Sequence, residues 1–187
     1  MSAPIIFSRK PQRGAVLVIA LLILLLLTSL GVAMFRGFGL QERIAGNTRE
    51  KQHAFQAAQT ALQFGEWWLT QGNANTGTAC AGALAALQVC SNAVAMATLT
   101  SAPWVLGSAF VPTNVNGSSP LTVSATGGVG TYFASPRLYL NYLGLAPSGQ
   151  ARVYQVTAIG NGGDANSVAV VQSTYSVSTG IKDLGGL

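Results

Sequence analysis

The chain has 187 residues, a net charge of +5 and only 8% charged side chains, against about 25% in an average soluble protein. That length suits one domain plus an appendage. Seven bases and two acids precede His53, and three of each follow from there on. The excess lies beside the N-terminal apolar run, and the neutral remainder offers no basic surface for nucleic acid.

The first element is that apolar run. Between Arg13 and Arg36 no residue is charged, and from Ala15 to Phe35 only Thr28, Ser29 and Gly31 depart from a plainly apolar character. As a helix rising 1.5 Å per residue, about 21 residues span the ~30 Å hydrocarbon core of a bilayer. A buried helix of a soluble domain keeps a polar face, and this run has none. A cleaved secretion signal is the more serious alternative, because Gly31-Val32-Ala33 supplies small residues where a signal peptidase acts. Its apolar stretch is normally shorter, 7–15 residues. A transmembrane helix over 15–36 is therefore expected. Arg9, Lys10 and Arg13 on one side and Arg36, Arg43 and Arg49 on the other give little charge bias. The shortness of the tail favours an internal N-terminus.

An amphipathic continuation is expected over 37–71. Leu40 and Ile44 begin an apolar stripe, and Phe55, Ala58, Leu62 and Leu69 continue it, flanked by Ala54, Ala57, Ala61, Phe64 and Trp68. Gln52, Gln56, Gln59, Gln63 and Glu66 form the opposite polar stripe, which is helical spacing. Joined to the first run, the helix would be on the order of 85 Å long. Gly37, Gly39 and Gly46 interrupt it, each costing about 1 kcal/mol relative to alanine. Either a mild bend or a segment that unwinds in an assembled state accounts for them. Gly72 and the Asn/Thr/Gly residues behind it mark the helix end.

A globular β-rich part is expected over 72–187. Cys80 and Cys90 are the only cysteines. In an exported domain such a pair reads as a disulfide, with free buried thiols or a metal site as alternatives. A short helix is expected over Ala83 to Val89. Loops and short strands around Pro103, Pro112 and Pro120 fill Ser91 to Gly130, with Trp104 as a core or interface anchor. Tyr132-Phe133 and Arg137 to Leu143 suggest a strand. Ala151 to Gly160 and Ser167 to Val177, joined by "NGGDAN", read as an antiparallel hairpin over 151–178. The expected fold is α+β, a long helix packed on an antiparallel sheet.

Gln12-Arg13-Gly14 followed by Ala15-Val16-Leu17-Val18, a membrane-length helix and a small exported domain together resemble type IV pilins and pseudopilins. "RGAVLVIALLILLLLTSLG", "LQERIAGNTREKQHAFQAAQTAL" and the "QSTY" of the second hairpin strand look most like the PilX-like minor pilins. The resemblance is strong from Gln12 to Glu66 and weaker towards the C-terminus. It implies a prepilin leader over 1–14, cleaved between Gly14 and Ala15 by a prepilin peptidase, with N-methylation of Ala15. It also implies anchoring in the inner membrane of a Gram-negative bacterium, with the globular part periplasmic and later at the pilus and cell surface. Implied partners are other minor pilins, the major pilin and a PilY-type tip protein, in a machine that drives twitching motility. Major pilins carry glutamate at the fifth mature position. Here that position is Ile19, which points away from the bulk filament subunit and towards a minor or initiating one.

Catalytic chemistry has little to work with. His53 is the single histidine, beside Glu50 and Lys51, and reads as a solvated surface residue. Asp164 with Asn161 and Asn166 offers one carboxylate where calcium wants six to eight oxygens, so a hairpin turn is the expectation. No triad, zinc motif or phosphate loop occurs. No enzyme activity, cofactor, metal or nucleic-acid partner is expected. A type II secretion pseudopilin is the alternative to a minor pilin, and a membrane-anchored exported binding domain a lower one.

Overall fold

A computed structural model describes residues 14–95, 98–99, 104–113, 118–128 and 130–178, without the side chains of 36–38. The expected leader, apart from Gly14, lies outside the described residues, as does Pro103. The chain divides into two compact units, one ending at Gly46 and one starting at Asn47. Helix α1, Ala15–Trp68, belongs to both.

In the first unit the helix is unbroken through Gly31, Gly39 and Gly46, and a Cβ at any of these meets only open space. Among the described residues no side chain covers Val16 to Phe35: Ile19 is 55% exposed and Phe35 78%. The two hydroxyls in the run are satisfied within the helix. Thr28 Oγ1 donates to Leu25 O and Ser29 Oγ to Leu26 O, both at 2.9 Å. No side-chain donor of that run is then left facing hydrocarbon.

In the second unit α1 ends at Trp68 and passes through one wider turn, Leu69–Asn73. Gly72 at φ 85° closes that turn, a conformation only glycine adopts cheaply. Among the described residues six strands follow: β1 Ala83–Leu84, β2 Val89–Cys90, β3 Gly107–Ala109, β4 Arg137–Leu145, β5 Ala151–Asn161 and β6 Val168–Ser178. Their order is β1-β3-β4-β5-β6, with β2 also on β4. The three long strands form an antiparallel meander. The β1–β3 and β2–β4 pairs are parallel, so the sheet is mixed rather than purely antiparallel.

Two local expectations fail. Ala83 to Val89 is not a helix. Its ends are extended because Val89 and Cys90 pair with Leu140 and Asn141 of β4, where both are buried. Long-range pairing and burial override the weak helical preference of the alanines. Tyr132 and Phe133 do not form a strand. Tyr132 makes one isolated bridge to Val123, and Phe133 N donates to Gly162 O at 2.7 Å.

The sheet is covered on both faces. Leu138, Leu140, Tyr154, Val156 and Ala158 point to the helix and meet Ala61 and Leu69. The alternate residues Tyr139 and Ile159 point the other way and meet Cys80, Cys90, Val94 and Trp104. Strand alternation therefore serves two cores.

Candidate functional site

The chemistry of this chain lies in surfaces that pack. The first is the seam between α1 and the sheet. Ala54, Ala58, Ala61 and Leu69 are fully buried, and Ala57 nearly so. Gly65 continues the row, where a Cβ would sit 3.0–3.2 Å from Val156, Leu138 and Leu140 methyls. Positions 54, 58, 61, 65 and 69 recur every three or four residues, one helical face. Small residues there let the helix lie close to the sheet. Of the four residues expected on the core face, Ala58 and Leu69 are fully buried and Leu62 is half-buried. Phe55 is 45% exposed and points outward. That is a correction: the face is centred on alanines, and Phe55 sits beside them, past the contact.

The second feature is a clasp between the start of this helical segment and the β5–β6 turn. The turn holds its own shape. Asp164 Oδ1 accepts from the N–H groups of Asn166 (2.8 Å) and Ser167 (3.0 Å), and Ser167 Oγ donates to Asp164 Oδ2 at 2.8 Å. The Ser167 hydroxyl and then the Asn166 amide hold the Asp164 carboxyl below its ordinary pKa. These donors engage both carboxylate oxygens, in the pattern of an Asx turn. Among the described residues, no three of His, Cys, Asp or Glu come together as metal ligands.

α1 reaches this turn with two side chains. Glu50 Oε2 accepts from Gly163 N at 2.5 Å, and Lys51 Nζ donates to Val168 O at 3.1 Å and Asn166 O at 3.4 Å. Glycine is required where the backbones meet. A Cβ on Gly160 would fall 2.6 Å from Ala58 N and closer still to Ala54 O, and one on Gly162 2.6 Å from Glu50 O. Further along, Ser173 Oγ donates to Glu66 Oε1 at 2.6 Å. His53 is half-buried with its ring 6.1 Å from that of Tyr132.

The third feature is the disulfide layer. Cys80 and Cys90 are bonded, with Cα atoms 5.4 Å apart and a sequence separation of 10. Asn92 grips Cys80 at two points: its Oδ1 accepts from Cys80 N (2.7 Å) and its Nδ2 donates to Cys80 O (3.0 Å). Tyr139 OH donates to Asn92 O at 2.8 Å, and Trp104 Nε1 to Thr98 O. Burial raises the Tyr139 pKa. The Arg137 guanidinium donates to the carbonyls of Val105, Leu106 and Gly107, and its burial lowers its pKa. Arg152 donates to Ala74 O at 2.6 Å and Tyr154 OH to Asn75 O at 2.9 Å, tying β5 to the chain leaving the helix. Burial raises the Tyr154 pKa, partly offset by Arg152.

Glu50, Lys51, Asn92, Gly160 and Gly162 carry this architecture and have no distinguishing local pattern. "NGGDAN" signalled a turn, and only the doubled glycine hinted at a close backbone approach.

The helix of α1 is long and apolar enough over an 18-residue window, of mean hydropathy 3.0, to cross a membrane. That helix, a second segment of it on an antiparallel meander and a disulfide-stapled cover define a pilin-like protein. Two family profiles match: PilX N-terminal over residues 13–63 and type IV pilus assembly protein PilX, C-terminal, over 47–177. The chain belongs to the PilX family of type IV pilus minor pilins, a structural family associated with other pilins. No curated protein matches the chain. No solved structure matches it either.

Proposed function

We propose that this chain is a minor pilin that helps to initiate pilus assembly and is incorporated into the pilus. It waits in the inner membrane with its N-terminus cytoplasmic and its globular unit periplasmic. A prepilin peptidase cleaves between Gly14 and Ala15. Residues 15–35 then leave the bilayer and pack against helices of other minor pilins and the major pilin, and a PilY-type tip protein is a further partner.

One observation carries this reading: both PilX profiles match, and together they run from residue 13 to 177. Uncovered apolar side chains from Val16 to Phe35 suit exchange of lipid for protein, because both solvents are apolar and packing decides between them. Ile19 in place of an acid spares the cost of a lone carboxylate in hydrocarbon. It also removes a contact to a neighbour's amine, which suits a subunit present in few copies.

The experiment is deletion of the gene with complementation, scored by surface pili and by the pool of major subunit. Fewer pili with an unchanged pool is expected, and normal piliation in a strain with no second copy refutes an initiating role. N-terminal sequencing of protein from piliated cells tests processing: Ala15 is expected, and a start at Met34 shows ordinary signal cleavage.

A further inference from the structure

Within the second unit, the contacts of α1 with β5 fall in a fixed order. Glu50 meets Gly162 and Gly163, then Ala54, Ala57 and Ala58 meet Gly160, and then Gly65 meets Val156. The chain leaving the helix meets the start of β5, where Arg152 donates to Ala74 O and Tyr154 OH to Asn75 O. As helix numbers rise, strand numbers fall. From Glu50 to Gly65 a helix rises about 22 Å, and from Gly162 to Val156 a strand covers about 20 Å. Helix and strand therefore lie side by side in opposite directions. β6 is antiparallel to β5, from Asn161↔Val168 to Ala151↔Ser178, so it runs in the same sense as the helix. Asn47 and Ser178 thus stand at opposite ends of the layer made by this part of α1, β5 and β6.

A pull on these two points is directed along the helix and the strands. It loads the ties between the three elements together. Those ties are the unbroken β5–β6 register, Lys51 Nζ on Val168 O at 3.1 Å, Ser173 Oγ on Glu66 Oε1 at 2.6 Å and Gln172 Nε2 on Thr157 Oγ1 at 2.9 Å. Packing resists sliding as well. Gly65 is a notch in the helix, where a Cβ would sit 3.0 Å from Val156 Cγ1, and Gly160 is a notch in the strand, taken up by Ala54, Ala57 and Ala58. Drawing the helix towards Asn47 carries Leu69, fully buried one turn behind Gly65, into the methyls that Gly65 receives. A close-packed interior has no room for it until the seam parts.

The same hairpin is weak in another direction. Ser148 lies in the turn between β4 and β5, at the end of the layer where Ser178 pairs with Ala151. A pull between Ser148 and Ser178 opens β6 from β5 pair by pair, each pair bearing the whole load in its turn.

We propose that α1, β5 and β6 of the second unit form a shear clamp, a load-bearing link for tension that arrives along the unit's own helix and leaves along β6. The clamp holds under loads that open the hairpin from its end. Glu50 and Lys51 are its first grip, because they are the helix contacts nearest the loaded end. The proposal stands on the fold of this unit and not on the role proposed above in assembly.

The test is single-molecule pulling of the full chain in detergent micelles, with azide-bearing residues as handles at exposed positions. One chain carries them at 47 and 178, the other at 148 and 178. The two chains share one fold and one set of contacts, so a difference in force reports direction. Forced unfolding follows the barrier along the pulled direction, so the rupture force across 47 and 178 should be at least about twofold that across 148 and 178 at one loading rate. Equal or lower force across 47 and 178 overturns the proposal. Lys51→Met keeps the side-chain stem and removes its bonds to the β5–β6 turn. It should lower the force across 47 and 178 and leave that across 148 and 178 unchanged, because opening from the far end reaches the turn last. No change in the first force, or an equal fall in both, also overturns the proposal.

Discussion

Gly160→Ala adds one methyl group at the point where β5 crosses the helix. The new Cβ would lie 2.6 Å from Ala58 N, 3.0 Å from Ala57 Cβ and closest of all to Ala54 O. Two of these three neighbours are backbone atoms of a packed helix and cannot rotate away. Ordinary contact needs about 3.5 Å, so helix and strand must part by about 1 Å, enough to forfeit a quarter to a half of the dispersion wells along the seam. Overpacking of this kind costs about 1–3 kcal/mol. The same displacement pulls Glu50 off the Gly163 N–H, a bond to a charged acceptor worth about 1.5–3 kcal/mol. The sum is about 2.5–6 kcal/mol, a large share of the roughly 5–15 kcal/mol that holds a domain together. Guanidinium unfolding of the full chain in micelles, followed by tryptophan fluorescence with Trp104 buried as a reporter, should show the midpoint falling by about 1 M. Gly46→Ala is the matched control, since its Cβ meets open space and alanine gains about 1 kcal/mol of helix propensity. A Gly160→Ala midpoint at or above that of Gly46→Ala refutes the backbone contact.

Three further outcomes follow from the same geometry. Cys80→Ser/Cys90→Ser should lower stability by about 3 kcal/mol through the reopened loop, and thermal melts of the reduced unmodified chain should coincide with those of the double variant. Asp164 has its folded pKa lowered, so its contribution is present above the unfolded carboxylate value of about 4. That contribution is lost as pH falls through the folded value, so Asp164→Asn should flatten the unfolding midpoint between pH 5 and pH 2 relative to the unmodified chain. Phe55→Ser should leave the midpoint within about 0.5 kcal/mol of the unmodified chain, whereas Ala58→Leu should cost about 1–3 kcal/mol or more by overpacking. The reverse order would restore Phe55 to the core face.

Periodicity made the long elements legible. Fifty-four residues without proline became α1, and the Val/Thr/Tyr runs around "NGGDAN" became β5 and β6. The helix stop at Gly72 was legible because one residue type solves that backbone problem. The helix face was only partly legible, because a hydrophobic stripe weights large residues. The real seam is set by how closely two backbones approach, which favours Ala54, Ala58, Ala61 and Gly65 and leaves Phe55 outside. The short strands were not legible. β1, β2 and β3 have two or three residues each, and their conformation comes from β4 and from the disulfide, neither of which is a local signal. Asn92 belongs to the same case, since nothing near it in the chain announces that it will hold both backbone groups of Cys80.

The close seam bears on assembly. By filling its inner face with alanine and glycine, the helical segment from Asn47 onward spends its smallest residues on its own sheet. Trp68 and Phe64 pack on the core, whereas Trp67 is 55% exposed and Phe55 45%, among the exposed glutamines 52, 56, 59 and 63. The two PilX profiles overlap on residues 47–63, the stretch that also carries Glu50, Lys51 and the alanine row. One stretch of helix therefore faces two ways: inward it fixes the β5–β6 hairpin, and outward it leaves aromatic and amide side chains exposed. A substitution on the inner face should then be read out as stability, and one on the outer face as assembly.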